Sequence, residues 1–362
     1  MELLLNEQQA LLRDAAAKLG AAHGGAKRAR QLRLSRVGMD QEGWNEIVEA
    51  GWLSALVSEE AGGLGLGAFD LALALEEISK TVMMTPVVEA ACAIWAVAEA
   101  QGDLDLATGL IVPATSPPAQ SYKGVQQVRL RDGMLDGVLS FVPFADHAEA
   151  FVVEATTDGV ATLCLAPRSS KGLTIETIDN VDGSTSSTLT FEHVRIEEAQ
   201  VLARGEKAAA ITVKMHDLLS LGASVELLGV AQAALDITLD YIKLRQQFGK
   251  PIGSFQALQH RAVNCYVDLE LNRSLIYAVL SAWDAGAAHP AMVSAVKARL
   301  SRCGLDTVRA ALQLHGAIGY TDGHEIGVYY KRAVALAAKY GNEITHVGRF
   351  SALTASVSAT QE

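Results

Sequence analysis

From Leu3 to about Gly102, apolar side chains recur every three or four positions: Leu4, Leu5, Leu11 and Leu12, then Trp44, Ile47 and Val48, then Leu71, Leu73, Leu75 and Ile78. This spacing predicts amphipathic helices whose stripes face a shared core. The run Gly62-Gly63-Leu64-Gly65-Leu66-Gly67 interrupts them. A phosphate loop would follow a strand and end in Gly-Lys-Ser/Thr, and this run does neither, so it reads as a connection between helices. Between about Leu110 and Val201 the period shortens. Val125–Leu130, Ala150–Val153, Thr162–Leu165, Leu173–Glu176 and Ser187–Phe191 are short and rich in β-formers, with turn signals at Arg131-Asp132-Gly133 and Asp158-Gly159. After Arg204-Gly205 the helical period returns, and Ala208–Leu244, Gln256–Asp284, Ala291–Leu314 and Val328–Val357 read as four long helices packing as a bundle. The expected fold class is α+β, with an all-α domain over 1–109, a small β-domain over 110–204 and a helical bundle over 205–362.

Composition narrows the function. The chain has 362 residues, half of them hydrophobic, and a formal net charge of −11. Such an acidic balance argues against nucleic acid or an anionic membrane surface as partner. Lys27, Arg28, Arg30, Arg33 and Arg36 read as a solvated helix face. Cys92, Cys164, Cys265 and Cys303 lie far apart without metal-ligand spacing, as expected of buried thiols in a reducing compartment. The N-terminal stretch carries Glu2, Glu7, Arg13 and Asp14 among its apolar residues and does not read as a signal peptide, so a cytoplasmic location is expected.

The candidate chemistry concentrates in two stretches. Tyr241–Arg273 joins two helical patterns through a turn at Gly249-Lys250-Pro251, with helix expected to resume after Ser254 as its N-cap. Arg245 suits the negative end of a helix, and its planar five-donor fork equally suits a pyrophosphate. The second stretch, Gln313-Leu314-His315-Gly316-Ala317-Ile318-Gly319-Tyr320-Thr321, closes another helix with glycines that admit a ligand close to the backbone.

The pairing of RQQFGKPIGSFQ with QLHGAIGYT across intervening helix resembles the flavin-dependent acyl-CoA dehydrogenase family, most closely from about Leu218 onward. The resemblance implies the helical, β, helical order and FAD as cofactor. It also implies that Arg245, Phe248, Gln256, Gln313, Gly316 and Gly319 reach the ADP portion of FAD in a neighbouring subunit. It implies an acyl-CoA thioester as substrate, a carboxylate base that takes the α-proton, hydride passage to the flavin, and an electron-transfer flavoprotein as acceptor. No metal is implied.

This sequence departs from the family at the base. One family position aligns with Lys339-Tyr340-Gly341-Asn342, placing Tyr340 where a glutamate belongs; the other aligns with Leu219. Asp217, Glu226 and Glu343 are the nearby acids, and Asp217 sits about 200° around the helix from Leu219. The flavin-ring segments also depart, reading Val112–Pro118 and Phe141-Val142-Pro143-Phe144-Ala145-Asp146, with Pro143 removing a backbone donor. The chain therefore resembles the non-catalytic small subunit of heteromeric α2β2 acyl-CoA dehydrogenases of the steroid side-chain or pimeloyl-CoA type. The alternatives are a self-sufficient homotetramer with Glu226, Asp217 or Glu343 as base, and a redox-inactive scaffold.

Overall fold

A computed structural model describes residues 5–101, 109–115 and 128–359. The start of the expected Val125–Leu130 strand and the Ser116-Pro117-Pro118 segment lie outside them. The chain forms two compact units, one built from 1–35, 68–83 and 220–362, the other from 36–67 and 84–219.

The second unit holds an eight-stranded sheet: β1 Ile111–Ala114, β2 Arg129–Arg131, β3 Met134–Pro143, β4 Ala150–Thr157, β5 Val160–Pro167, β6 Leu173–Asp179, β7 Thr185–Arg195 and β8 Val201–Arg204. Its order is β6-β7-β3-β2-β4-β5-β8, with β1 parallel to β4. Two of the hairpins turn at Asp132-Gly133 and Asp158-Gly159, where all four residues have positive φ. Such primed turns match strand twist, and Asp and Gly tolerate the left-handed region. Phe151, Leu135, Leu139, Leu163 and Leu189 fill the core. Sequence periodicity missed β1, β3 and β8. All four positions of β1 are apolar and buried, so it shows no alternation, and β3 bends through register shifts against β7 that break its alternation. Helices α3 (Gln41–Glu49) and α5 (Val87–Gln101) belong to this unit, as does the Gly62–Gly67 connection.

The first unit is helical: α1 Glu7–His23, α2 Ala26–Ser35, α4 Ala68–Lys80, most of α6 Gly205–Leu244, then α7 Gln256–Asp284, α8 Pro290–His315, α9 Ile326–Ala338 and α10 Glu343–Ala359. Asp284 accepts from the Ala68 and Phe69 amides at 2.7 and 3.0 Å, so the end of α7 caps the start of α4. Buried Glu76 on α4 pairs with Arg273 and accepts from Tyr277 Oη at 2.6 Å. The expected Val328–Val357 helix is in fact two. Tyr340 and Gly341 take φ of 58° and 102°, and Asn342 Oδ1 accepts from the Thr345 amide at 3.0 Å to start α10. Among the described residues, α6 is long and apolar enough to span a membrane, but its apolar window is 89% buried inside the protein, as in a core helix. The four cysteines are free, and burial pushes the Cys164 thiol up to about 12.

Candidate functional site

Helix α6 ends at Leu244, one residue before Arg245, and the chain then folds into a two-residue hairpin, β9 Gln246–Gln247 against β10 Lys250–Pro251. Its turn residues, Phe248 and Gly249, have φ of 53° and 79°. The turn thus has the geometry of the two Asp-Gly hairpins, with a bulky aromatic in the left-handed position. That placement costs on the order of 1–2 kcal/mol, and the Phe248 side chain is also 91% exposed. Arg245 is exposed and makes no side-chain hydrogen bond or ion pair among the described residues, so it does not cap α6. Gly253 packs against the Ile242 carbonyl, which an added Cβ would meet at 2.9 Å. The expected Ser254 cap is not formed. Ser254 Oγ donates to the Pro251 carbonyl at 2.7 Å, Phe255 occupies the cap position, and exposed Gln256 opens α7.

The second stretch lies beside the first. Tyr241, one turn before Arg245, stacks on His315 with ring centroids 4.4 Å apart, joining the end of α6 to the end of α8. Gln313 is exposed. Gly316 takes φ 66° and ψ −145°, a region reserved for glycine, and a Cβ there would meet nothing within 4 Å. Its backbone is therefore open to a ligand. Gly319 is buried against the Leu312 carbonyl and the His315 Cβ, so it shapes the loop from within. The exposed guanidinium, the side-chain amides and the open Gly316 backbone fit the pyrophosphate and adenosine portions of a dinucleotide.

The acids near the base positions lie in different surroundings. Glu226, 4% exposed, accepts from Arg332 Nη2 at 2.7 Å and has Lys339 Nζ at 3.5 Å. Lys297 completes this buried group, donating to Ser301 Oγ at 3.1 Å and to the Leu336 carbonyl at 2.8 Å. Burial, then Lys339, push its ammonium down to about 7, with Glu226 opposing. The 339–342 segment is held from a second side, where His346 Nε2 donates to the Tyr340 carbonyl at 3.0 Å. Burial is the main reason His346 is pushed down to about 4. Glu343 begins α10, with Arg302 at 3.6 Å. Asp217 is buried, in the part of α6 that belongs to the sheet-containing unit. Sequence reading missed Lys297 and Arg332. The available signal was a cation at an apolar-stripe position: Lys297 follows Val293 and Val296, and Arg332 precedes Ala333 and Leu336.

In the sheet, Phe144 is 1% exposed with φ 54°, and its amide donates to the Thr185 carbonyl at 3.3 Å. Pro143 pairs with Ser186, while Phe141 is 65% exposed. Thr115 follows β1 and is half-buried. The basic helix face expected to be solvated is partly engaged: half-buried Arg30 donates to the His324 carbonyl at 3.1 Å and Arg33 lies 3.7 Å from Asp322.

Comparisons with known proteins agree with this layout. The family model for the N-terminal domain of acyl-CoA dehydrogenases matches residues 6–101, and the model for the C-terminal domain matches 219–347. The acyl-CoA dehydrogenase IpdE2 of Mycobacterium tuberculosis is 29% identical over 335 residues, covering 90% of this chain and 91% of its own. Among solved structures, the Tcur3481-Tcur3483 steroid ACAD G363A variant is 27% identical with a TM-score of 0.88, covering 98% of this chain and 99% of its own. A chain of the ChsE4-ChsE5 complex from Mycobacterium tuberculosis shares the fold at 21% identity, with a TM-score of 0.85 over 98% of this chain and 99% of its own. With both terminal domain models matched in order around the sheet, and relatives aligned nearly end to end, the chain belongs to the acyl-CoA dehydrogenase family.

Proposed function

We propose that this chain is the cofactor-completing subunit of a heteromeric acyl-CoA dehydrogenase, which lends its ADP-binding loops to a paralogous catalytic chain and supplies no base of its own. FAD is the cofactor of the family, and when bound it accepts hydride from the β-carbon of the acyl thioester. The residues of this chain bind and orient. Arg245 offers a fork to the pyrophosphate, Gln256 and Gln313 offer amides, Gly316 lets backbone approach, and Phe248 offers a flat apolar face. Gly319 fixes the loop that carries Gly316.

The observation that carries the reading is the contrast between these loops and the acids. Phe248 is held in a strained conformation and 91% exposed, a cost that contact with a neighbour or ligand would offset. Glu226, by contrast, is held by Arg332 inside the bundle, where its charge stabilises structure. Pro143 and the core-facing Phe144 stand where the family places polar flavin-ring contacts, which supports a catalytic flavin ring lying in the partner. The relatives whose names join two chains support the α2β2 assembly, and the steroid ACAD among them supports a steroid-derived acyl-CoA as substrate class.

The test is the flavin-to-chain ratio, read from visible absorbance, of the chain expressed alone and with an acyl-CoA dehydrogenase paralogue from its own genome. Flavin appearing only in the co-expressed complex, and leaving it on Arg245→Ala, supports the reading. About one flavin per chain in the protein alone, bleached by an acyl-CoA, would establish a homo-oligomer with its own active sites instead.

A further inference from the structure

The two loops that would grip the ADP moiety leave different helices, and their spacing must hold to a fraction of an ångström for one pyrophosphate to meet both. Their side chains do not bridge them: Arg245, Phe248 and Gln313 are all exposed. What lies between them is a ring cluster that the reading above leaves unused. Tyr241 stacks on His315 at 4.4 Å and 26°, and its hydroxyl lies 3.4 Å from the His315 carbonyl. The Arg245 amide donates to the Tyr241 carbonyl at 2.8 Å, tying the stack to the root of the hairpin. On the other side, His315 stands two residues after Gln313 and directly before Gly316. His324 packs on His315 at 4.5 Å, meets the Tyr241 ring edge-on at 6.1 Å, and is anchored through its carbonyl to Arg30 of α2.

The backbone also fixes how both imidazoles carry their protons. His315 Nδ1 donates to the Ala311 carbonyl at 2.8 Å, so its lone proton sits on Nδ1 and Nε2 is left as an acceptor. That Nε2 is buried without a hydrogen-bond partner. His324 Nδ1 accepts from the Ile326 amide at 3.2 Å, so its proton sits on Nε2. Burial, more than His324, pushes His315 below the ordinary histidine value, against the Ala311 carbonyl and Glu325, which act the other way. The His315 ring is thus held flat against Tyr241 with its Nδ1 proton directed to the Ala311 carbonyl.

We infer that Tyr241, His315 and His324 form a positioning cluster that sets the separation of the Arg245 hairpin and the Gln313–Gly319 loop, so that both engage one ADP moiety. The inference rests on the proposed function, because it is the cofactor that gives this spacing its value. Tyr241 and His315 touch no cofactor atom in this account and act through Arg245, Gln313 and Gly316.

The experiment uses the FAD-containing assembly, either the chain alone or the co-expressed complex, stripped of flavin and titrated with FAD at pH 7.5. Dissociation constants, urea midpoints and turnover at saturating FAD are read for wild type and for Tyr241→Leu, His315→Leu, their double variant and Tyr241→Phe. Loss of the stack is expected to weaken FAD binding by about 3- to 10-fold in each leucine variant, with turnover at saturating FAD unchanged. The double variant should be no weaker than the worse single one, because both delete the same contact. Tyr241→Phe keeps the stack and should bind within about 2-fold of wild type. A lower urea midpoint with unaltered FAD affinity in Tyr241→Leu and His315→Leu would overturn the inference and leave the cluster as core packing. So would fully additive losses. Arg245→Ala serves as the control: if it too leaves affinity unchanged, the proposed cofactor site is what has failed. Flavin in neither preparation overturns both.

Discussion

Replacing Glu226 by glutamine separates the two roles a buried carboxylate can have in this fold. The side chains of Glu226 and Arg332 are each 5% exposed and meet at 2.7 Å, with Lys339 at 3.5 Å from the second carboxylate oxygen. The amide of Glu226→Gln keeps the shape and one hydrogen bond but removes the negative charge, leaving Arg332, Lys339 and Lys297 gathered around a neutral group. Breaking a buried pair by removing one partner costs about 3–5 kcal/mol. Against a total stability of about 10 kcal/mol, the middle of the usual range, the variant still folds at 25 °C. With a urea m-value of about 2 kcal/mol per M, the midpoint should fall by roughly 2 M. Turnover of the FAD-containing assembly, counted per folded chain, should stay within a few-fold of wild type, because the charge is committed to structure. The assay is urea unfolding followed by circular dichroism, paired with acyl-CoA-dependent flavin bleaching in stopped flow. A general base would give the opposite pattern, a loss of about 10²–10⁴-fold or more in bleaching rate. That loss with an unmoved urea midpoint would refute the structural role and restore Glu226 as the base.

Two further outcomes follow from the same geometry. Phe248→Asn places a residue that tolerates the left-handed region at the hairpin turn. It should stabilise the isolated chain by about 1 kcal/mol while weakening FAD retention in the assembly; a gain in both, read by urea midpoint and FAD titration, would remove Phe248 from the site. Lys297 is held at about 7, below its ordinary 10.5, so between these values the unfolded chain binds more protons and its contribution to stability rises with pH. Lys297→Met should flatten the rise in urea midpoint between pH 7 and 10, by up to about 1.4 kcal/mol per pH unit, and equal slopes for the two proteins would count against a neutralisable buried lysine.

The parts of this protein legible in its sequence are those governed by neighbours along the chain. The change from a helical period to short β-segments and back marked the sheet because side-chain direction repeats with backbone geometry. Asp132-Gly133 and Asp158-Gly159 announced their hairpins, since the left-handed turn positions admit few residues. Gly341-Asn342 carried an equally local break that the long Val328–Val357 periodicity concealed, because Tyr340 gives no such signal and α9 and α10 are both apolar-striped. The breaks that carry Arg245, Phe248, Gln256, Gln313, Gly316 and Gly319, at the ends of α6 and α8 and the start of α7, were also legible. Tertiary structure alone decided which of their surroundings matter. It showed Phe248 strained and bare, and it joined Tyr241 to His315 across 74 residues of chain. It also gave Glu226 an arginine from 106 residues away. A carboxylate's chemistry depends on the charges and the burial around it, and those come from packing between helices, for which sequence spacing supplies no distance.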